Sequence, residues 1–504
     1  MARRWNTRAA LMITLGALSI STSALADSFV IVNARLVDGT GAAAKAGALR
    51  VRDGRIVALG DLVPARGEAV VDAQGQVLAP GFIDTHSHHD RGLDKLRDAL
   101  TATSQGITTI VVGQDGFSEG PLRQVFGAFA RAPAALNLAS YSGHNTLRAS
   151  VLGKDFRREA SAAEVKAMQR RLADDMRAGS LGLSTGLEYD PGIYSARSEV
   201  IALARTAAAH QGRYISHIRS EDVAIDAALD EIIEVGRAAR LPVQVSHMKL
   251  ALVDRWGSAG TVLARLDKAR GEGIDITADV YPYEYWQSNL TVMFPKRDFT
   301  DLAASEFALT HLSTPEGMLI SGYAGDPSLV GKTIGQIAAA RGKSPAQTYL
   351  DLINASPNKG EDDMVIGTSM RTDDVANLLL WPHSNVSSDG MLVDRHPRGA
   401  GSFTKVLAWL VRREGRLSLE SAVAKMTGLA ARHMGFADRG TLAPGMAADL
   451  VLFDPATVAD RATIADPGAL SAGISKVWVN GQLVYADGQA TTARPGKVLR
   501  RKGR

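Results

Sequence analysis

Cysteine is absent from all 504 residues. That excludes disulfides, thiolate nucleophiles and thiolate metal ligands, so packing and any metal held by nitrogen and oxygen must stabilise the chain. Long apolar runs are missing beyond the first 26 residues, and no later segment has the length to span a bilayer. Aromatic residues make up only 6% and are not interleaved with basic clusters, so no nucleic-acid motif is present. The net charge of +4 comes from the two ends: Arg3, Arg4 and Arg8 open the chain, and the closing "ARPGKVLRRKGR" holds six more cations. The plain expectation for that basic tail is a frayed, solvated end.

The opening arginines are followed by the apolar "AALMITLGALSI" and by small residues at Ala24 to Ala26. This order is that of a secretory signal peptide over residues 1–26. The mature chain is then expected to begin near Asp27, to be periplasmic or secreted, and to keep no stable membrane insertion after cleavage. Hydrophobic residues at 45% and charged residues at 22% are those of a globular protein with room for one large and one smaller domain.

Residues 28–79 alternate as short strands ("FVIVNARLVDGTG", "GALRVRDGRIVALG", "EAVVDAQGQVLAP"), and similar writing returns in "GMAADLVLFD" and "ISKVWVNGQLVYADG", with a hairpin turn at Asn480-Gly481. The two ends, 27–79 and 437–504, are expected to pair as one small β-sandwich domain. Between them apolar strands end in polar or glycine residues and lead into helical periods such as "SAAEVKAMQRRLADDMRAG". Eight such strands predict an α/β fold, a (β/α)8 TIM-like barrel over 80–436. The gap between strands 7 and 8 is too long for a loop and predicts an insertion near 287–380 over the barrel mouth.

Active sites of such barrels lie at the C-terminal ends of the strands. Strand 1 ends in His86 and His88, strand 2 in Asp115, strand 3 in His144 and strand 4 in Glu188. Strands 5, 6 and 8 end in His217, His247 and Asp389. Five of only 11 histidines therefore fall at predicted strand ends. His86 and His88 are two apart and face the same way along a strand, so they can reach one cation together. Imidazoles and carboxylates from several strands suit zinc or a similar borderline divalent ion. His89, out of phase with the pair, is expected to be structural.

With these residues in view, the sequence resembles the amidohydrolase superfamily. "GFIDTHSHHD", "GITTIVVGQDG", "GHNTLR", "GLSTGLEYDPGIY", "SHIRSE", "QVSHMK", "YPY", "SSDG" and "HPRGAGSF" are similar to its D-aminoacylase (N-acyl-D-amino-acid deacylase) branch. The resemblance covers nearly all of the mature chain and implies a barrel joined to a split β-sandwich. It further implies two divalent metals, most simply zinc, held by His86, His88, His217, His247 and Asp389. Typical members of the branch carry a metal-bridging cysteine where this chain has Asp115. That departure implies Glu188 as the anionic bridge, with Asp115 as the alternative.

The implied reaction is hydrolysis of the linear amide of an N-acyl amino acid, of D configuration in this branch, by a metal-bridging hydroxide, with Asp389 carrying the proton. Lys249 and Arg398 are candidates for the substrate carboxylate, with Tyr281, Tyr283, Tyr189 and Arg219 as further contacts and His144 as an orienting donor. The apolar "EYWQSNL" could line the acyl pocket. Alternatives are a metallo-dipeptidase or N-acyl-L-amino-acid hydrolase of the same fold, a cyclic-amide hydrolase, and a non-catalytic scaffold.

Overall fold

The computed structural model describes residues 28–357 and 363–501. The expected signal peptide, 1–26, lies outside the described residues. Among the described residues no helix is long and apolar enough to cross a membrane.

Eight parallel strands form the barrel: Phe82–Asp84, Ile107–Val112, Asn137–Ser140 continued by Ser142–Gly143, Gly182–Gly186, Arg213–His217, Val243–Val245, Ile276–Val280 and Ser384–Val386. They are numbered 1 to 8 below. Tyr141 interrupts strand 3. The ring closes past the ends of strands 8 and 1, where Ser388 N donates to Asp84 Oδ1 (2.9 Å), Asp389 N to the His86 carbonyl (2.9 Å) and His88 N to the Gly390 carbonyl (2.9 Å).

The helices between strands follow from local signals. Ser161 and Glu164 form a reciprocal capping box at the start of Ala162–Ala178, and the helix stops at Gly179, whose φ of 110° suits glycine. In Ile225–Ala239 the residues Leu229, Ile232 and Gly236 recur on one face and are buried against the barrel. Fully burying a side chain such as Leu229 contributes about 1.5–3 kcal/mol.

The two chain ends build one nine-stranded sheet, joined where Val77–Pro80 pairs antiparallel with Leu450–Phe453. It encloses its own core of Phe29, Leu49, Leu78, Leu450 and Trp478, with Phe29 stacked on Trp478 at 5.9 Å.

Two expectations need correction. The inserted body begins at Tyr285 and its three-stranded sheet ends at Thr368, and it has a separate core around Leu290, Phe294, Ile320 and Tyr349. Thr372–Leu380, placed inside the insertion by the sequence, packs on the barrel as the helix before strand 8. The basic tail is also not a frayed end over its described part. Leu499 N donates to the Leu138 carbonyl (2.7 Å) and Leu138 N to the Lys497 carbonyl (3.0 Å). Leu499 itself packs with Val111, Tyr141, Leu181 and Ile215, at the end of the barrel opposite the histidines. The tail's cations mask an apolar Val498-Leu499 pair that a charge-based reading passes over.

Candidate metal centre

The strand-end residues converge in three donor groups, two of which share the Asp115 carboxylate. In the first, His86 Nε2 lies 3.4 Å from both Asp115 Oδ2 and Asp389 Oδ1, and His88 Nε2 lies 3.1 Å and 3.2 Å from the same two oxygens. In the second, His247 Nε2 lies 3.2 Å from Asp115 Oδ1 and 3.0 Å from His217 Nδ1. Asp115 therefore turns one oxygen to each of these two groups. Its backbone is left-handed (φ 53°), as are those of His247 (φ 30°) and Asp389 (φ 50°). Such conformations cost of order 1–3 kcal/mol each and persist where the surroundings hold them. Aspartate tolerates this region better than most residues, and Gly116 and Gly390 follow the two acids.

The donor set fits divalent cations. A tetrahedral zinc with ligands at about 2.0–2.1 Å has edges of about 3.3–3.4 Å. The four measured separations in the first group, 3.1–3.4 Å, are of that size. The charge balance agrees. Five buried carboxylates (Asp115, Glu188, Glu221, Asp279 and Asp389) surround two buried cations, Lys249 and Arg398. Burial opposes ionisation of Asp115, yet His86 and His247 outweigh it and hold its carboxyl well below the usual range. Burial likewise opposes a proton on His86, but Asp115 and Asp279 push its pKa well above the usual value. Positive charge is wanted at the centre of this cluster.

Behind three of the imidazoles lie further carboxylates. Asp279 Oδ1, at the end of strand 7, is 3.6 Å from His86 Nδ1. Glu221 Oε1 is 3.1 Å from His247 Nδ1, and Glu188 Oε2 is 2.8 Å from His217 Nε2. Burial, then Asp222 and Glu221, raise the Glu188 carboxyl well above its ordinary pKa. Glu188 thus meets the outer nitrogen of His217, where it forms a further donor group with His217 and Glu221. The position between the first two groups, assigned to Glu188 from the sequence, is occupied by Asp115. Two left-handed backbones, at Asp115 and His247, turn these side chains toward each other, and residue spacing does not reveal that.

A cavity adjoins the centre, lined by His217, His247, Asp389, Lys249 and Arg398 and by apolar residues including Trp286, Val292 and Met293 of the inserted body. Arg398 Nη1 donates to Asp389 Oδ2 (2.5 Å), and Lys249 Nζ donates to both oxygens of Glu221 (2.9 Å each). Burial works against the Lys249 charge, but Glu221 overcomes it and lifts the pKa to about 12. Tyr189 lines the cavity with its ring 4.5 Å from that of His217. Tyr281 is buried beneath the cations, with the Arg398 guanidinium 5.0 Å from its ring centre.

Three other sequence candidates lie elsewhere. His144 is fully buried against Glu199 (2.8 Å), which also binds Arg148, so this histidine belongs to a structural ion network. Arg219 pairs through two bonds of 2.8 Å with Glu231. Tyr283 packs under Lys405, 3.8 Å from its ring centre, and its hydroxyl donates to the Pro397 carbonyl at 3.5 Å. Arg219 and Tyr283 share motifs with site residues, but neighbouring charges or packing turn them away. His89 is held by Ser87 and the Gly399 carbonyl, a structural role. Glu221 and Asp279 were passed over in the sequence. An acid inside the apolar strand "ITADV" is a signal for Asp279, because a buried carboxylate needs partners.

Comparison with known proteins settles the family. A profile of the Amidohydrolase family matches residues 69–355 and 324–485. The N-acyl-D-glutamate deacylase of Alcaligenes xylosoxydans xylosoxydans is 37% identical over 497 residues, covering 94% of this chain and 96% of the relative. The chain belongs to the amidohydrolase family. Solved structures agree with the amidohydrolase assignment. An N-acyl-D-glutamate deacylase from Bordetella bronchiseptica, complexed with zinc and a phosphonate mimic of the tetrahedral intermediate, superposes with a TM-score of 0.85 at 36% identity, covering 94% of this amidohydrolase and 99% of that chain. A D-aminoacylase described for its binuclear metal centre, with one-metal activation and second-metal attenuation, gives 0.84 at 35% identity and the same coverages.

Proposed function

We propose that this amidohydrolase is an N-acyl-D-amino-acid deacylase working with two divalent cations, most simply zinc. The observation that carries the reading is the pair of donor groups sharing Asp115, set beside a cavity with buried Lys249 and Arg398. His86, His88, Asp389 and one oxygen of Asp115 would hold one cation; His217, His247 and the other oxygen would hold the second. When bound, the cations make a nucleophile from water near neutral pH and polarise the amide carbonyl.

The residues of the chain supply the rest. Asp389 accepts the proton of the attacking water and passes it to the leaving amine. Arg398 keeps Asp389 ionised: burial opposes the charge, but the guanidinium and the nearby imidazoles hold its pKa far below the usual carboxylate value. The Arg398 fork and the Lys249 ammonium offer the substrate carboxylate two charged partners at one end of the cavity. The apolar wall from the inserted body takes the acyl group or the side chain and keeps water out. The leader over 1–26 supports export, so the reaction would run in the periplasm or outside the cell.

The test is metal content of protein prepared without chelator, paired with hydrolysis of N-acetyl-D- and N-acetyl-L-amino acids. About two metals per chain with turnover of the D series is the expected result. Two metals with turnover of only L substrates or dipeptides would move the enzyme to the peptidase alternative. No metal and no turnover would overturn the catalytic reading.

A further inference from the structure

We infer that the floor of the barrel, the face opposite the metal centre, is a peripheral docking surface for a bilayer containing anionic phospholipid. The protein would rest on Arg55, Arg432, Lys497 and Arg500, with the mouth of the barrel turned away from the lipid.

The cations meet there for a topological reason. In a (β/α)8 barrel the strands begin and the helices end at the floor. Helix C-termini favour basic side chains, because their last carbonyls carry partial negative charge. Arg177 lies in the last turn of Ala162–Ala178, Arg237 in that of Ile225–Ala239, and Lys268 and Arg270 in that of Ala259–Gly271. Arg432 closes Gly428–Met434 in the same way, and Arg213 opens strand 5. The end of the chain adds to this ring. Leu499 pins it under the barrel, Arg500 Nε donates to the Ala178 carbonyl (3.2 Å) and Arg501 N to the Gly179 carbonyl (3.1 Å). A groove then joins this segment to the sandwich, lined by Arg55, Arg439, Lys497 and Arg500 and, three residues past Arg432, by Gly435 and Phe436.

Ion pairing leaves the face positive. Arg177 pairs with Asp174, Arg237 with Glu234 and Glu272, and Arg270 with Asp275. Of the two carboxylates lining the groove, Asp438 is paired with Arg439, which leaves Asp53 against Arg55, Lys497 and Arg500. Arg55, Arg432, Lys497 and Arg500 are exposed, and none of them is in an ion pair among the described residues. Phe436 and Val498, apolar residues of the groove, are half-buried, which suits a contact at the headgroups and not an inserted wedge. The chain lacks the aromatic–basic interleaving that would favour a nucleic acid. The leader expected over 1–26 makes a bilayer the first polyanionic surface that the exported protein meets.

The test is co-sedimentation of the mature chain, residue 27 onward, with two kinds of vesicle. One is phosphatidylcholine alone; the other carries phosphatidylglycerol as well. The leader is left out because its own apolar run would bind lipid. Binding to the anionic vesicles only is expected, with release at about 1 M salt, where screening acts within about 3 Å. Each cation near such a surface contributes about fivefold to binding, so Arg55→Gln, Arg432→Gln and Lys497→Gln combined should weaken it about a hundredfold. Lys296→Gln, Lys332→Gln and Arg341→Gln combined, at exposed positions of the inserted body, should bind as the wild type does. Should the floor variant fail to fold, its three single substitutions decide, each expected to lose about fivefold. No binding to the anionic vesicles, equal binding to the neutral ones, or undiminished binding of the folded floor variant would overturn the assignment. An equal loss in the inserted-body variant would also overturn it, by moving the contact to the mouth. Equally tight retention of soluble polyphosphate would replace the bilayer with a general anion site. Neither metal content nor turnover enters the readout, so failure here is distinct from failure of the catalytic reading.

Discussion

Asp115 and His247 stand at the ends of strands 2 and 6, far apart in the ring, yet Asp115 Oδ1 lies 3.2 Å from His247 Nε2. The other oxygen of Asp115 serves His86 and His88, so this one residue joins two donor groups. Removing it by Asp115→Ala should reduce the metal content from about two per chain toward one. Asp115→Cys, which installs the bridging residue typical of the D-aminoacylase branch, should keep both. Metal analysis of the three proteins decides, and two tightly held metals in Asp115→Ala would contradict the bridge.

Asp389 is placed to carry a proton as well as to hold a cation, and the two roles separate in kinetics. With zinc saturating, Asp389→Asn is expected to lose at least about a hundredfold in kcat with a much smaller change in KM. A variant that regains most of its kcat once metal is restored would show that Asp389 serves only as a ligand.

His433 gives an acid-stability signature remote from the metal centre. Burial, then Arg213 and Arg432, lower its pKa from 6.5 to about 3, and its Nδ1 lies 2.7 Å from Asn385 Oδ1. The unfolded chain takes up this proton first, so the stabilising difference is present above 6.5 and is lost as pH falls toward 3. Each pH unit across that window costs at most about 1.4 kcal/mol. In denaturant titrations at pH 7 and pH 5, His433→Gln should lose less stability than the wild type. Identical losses in the two proteins would remove His433 from the account.

Leu499 closes the floor of the barrel from the last residues of the chain. Leu499→Ala should cost about 2–5 kcal/mol of stability and leave kcat per folded molecule unchanged, because the cavity is at the opposite end. Urea denaturation and steady-state kinetics check the two halves. An unchanged urea midpoint would mean that the tail only rests on the surface.

The sequence carried the strand-end donors clearly, because a histidine or acid that ends an apolar run at the C-terminal side of a barrel strand is placed by topology alone. His86, His88, His217, His247 and Asp389 all come together for that reason. Glu188 and Asp115 exchanged places because the choice depends on the φ angle of Asp115 and on which nitrogen His217 turns inward, and neither is written in residue spacing. Asp279 was hidden inside a strand whose apolar neighbours suggested only core. The end of the insertion was misplaced for a different reason: Thr372–Leu380 has the same helical periodicity as the inserted helices, so only packing distinguishes it.

The seam between Val77–Pro80 and Leu450–Phe453 sets an order of assembly. As the ribosome emits the chain, the early strands wait with an open sheet edge until nearly all of the barrel sequence has followed. Their partners arrive late, so this long-range pairing is among the last to become available. A chain cut short anywhere in the barrel would keep that edge exposed, a template for aggregation and a mark by which incomplete molecules differ from finished ones.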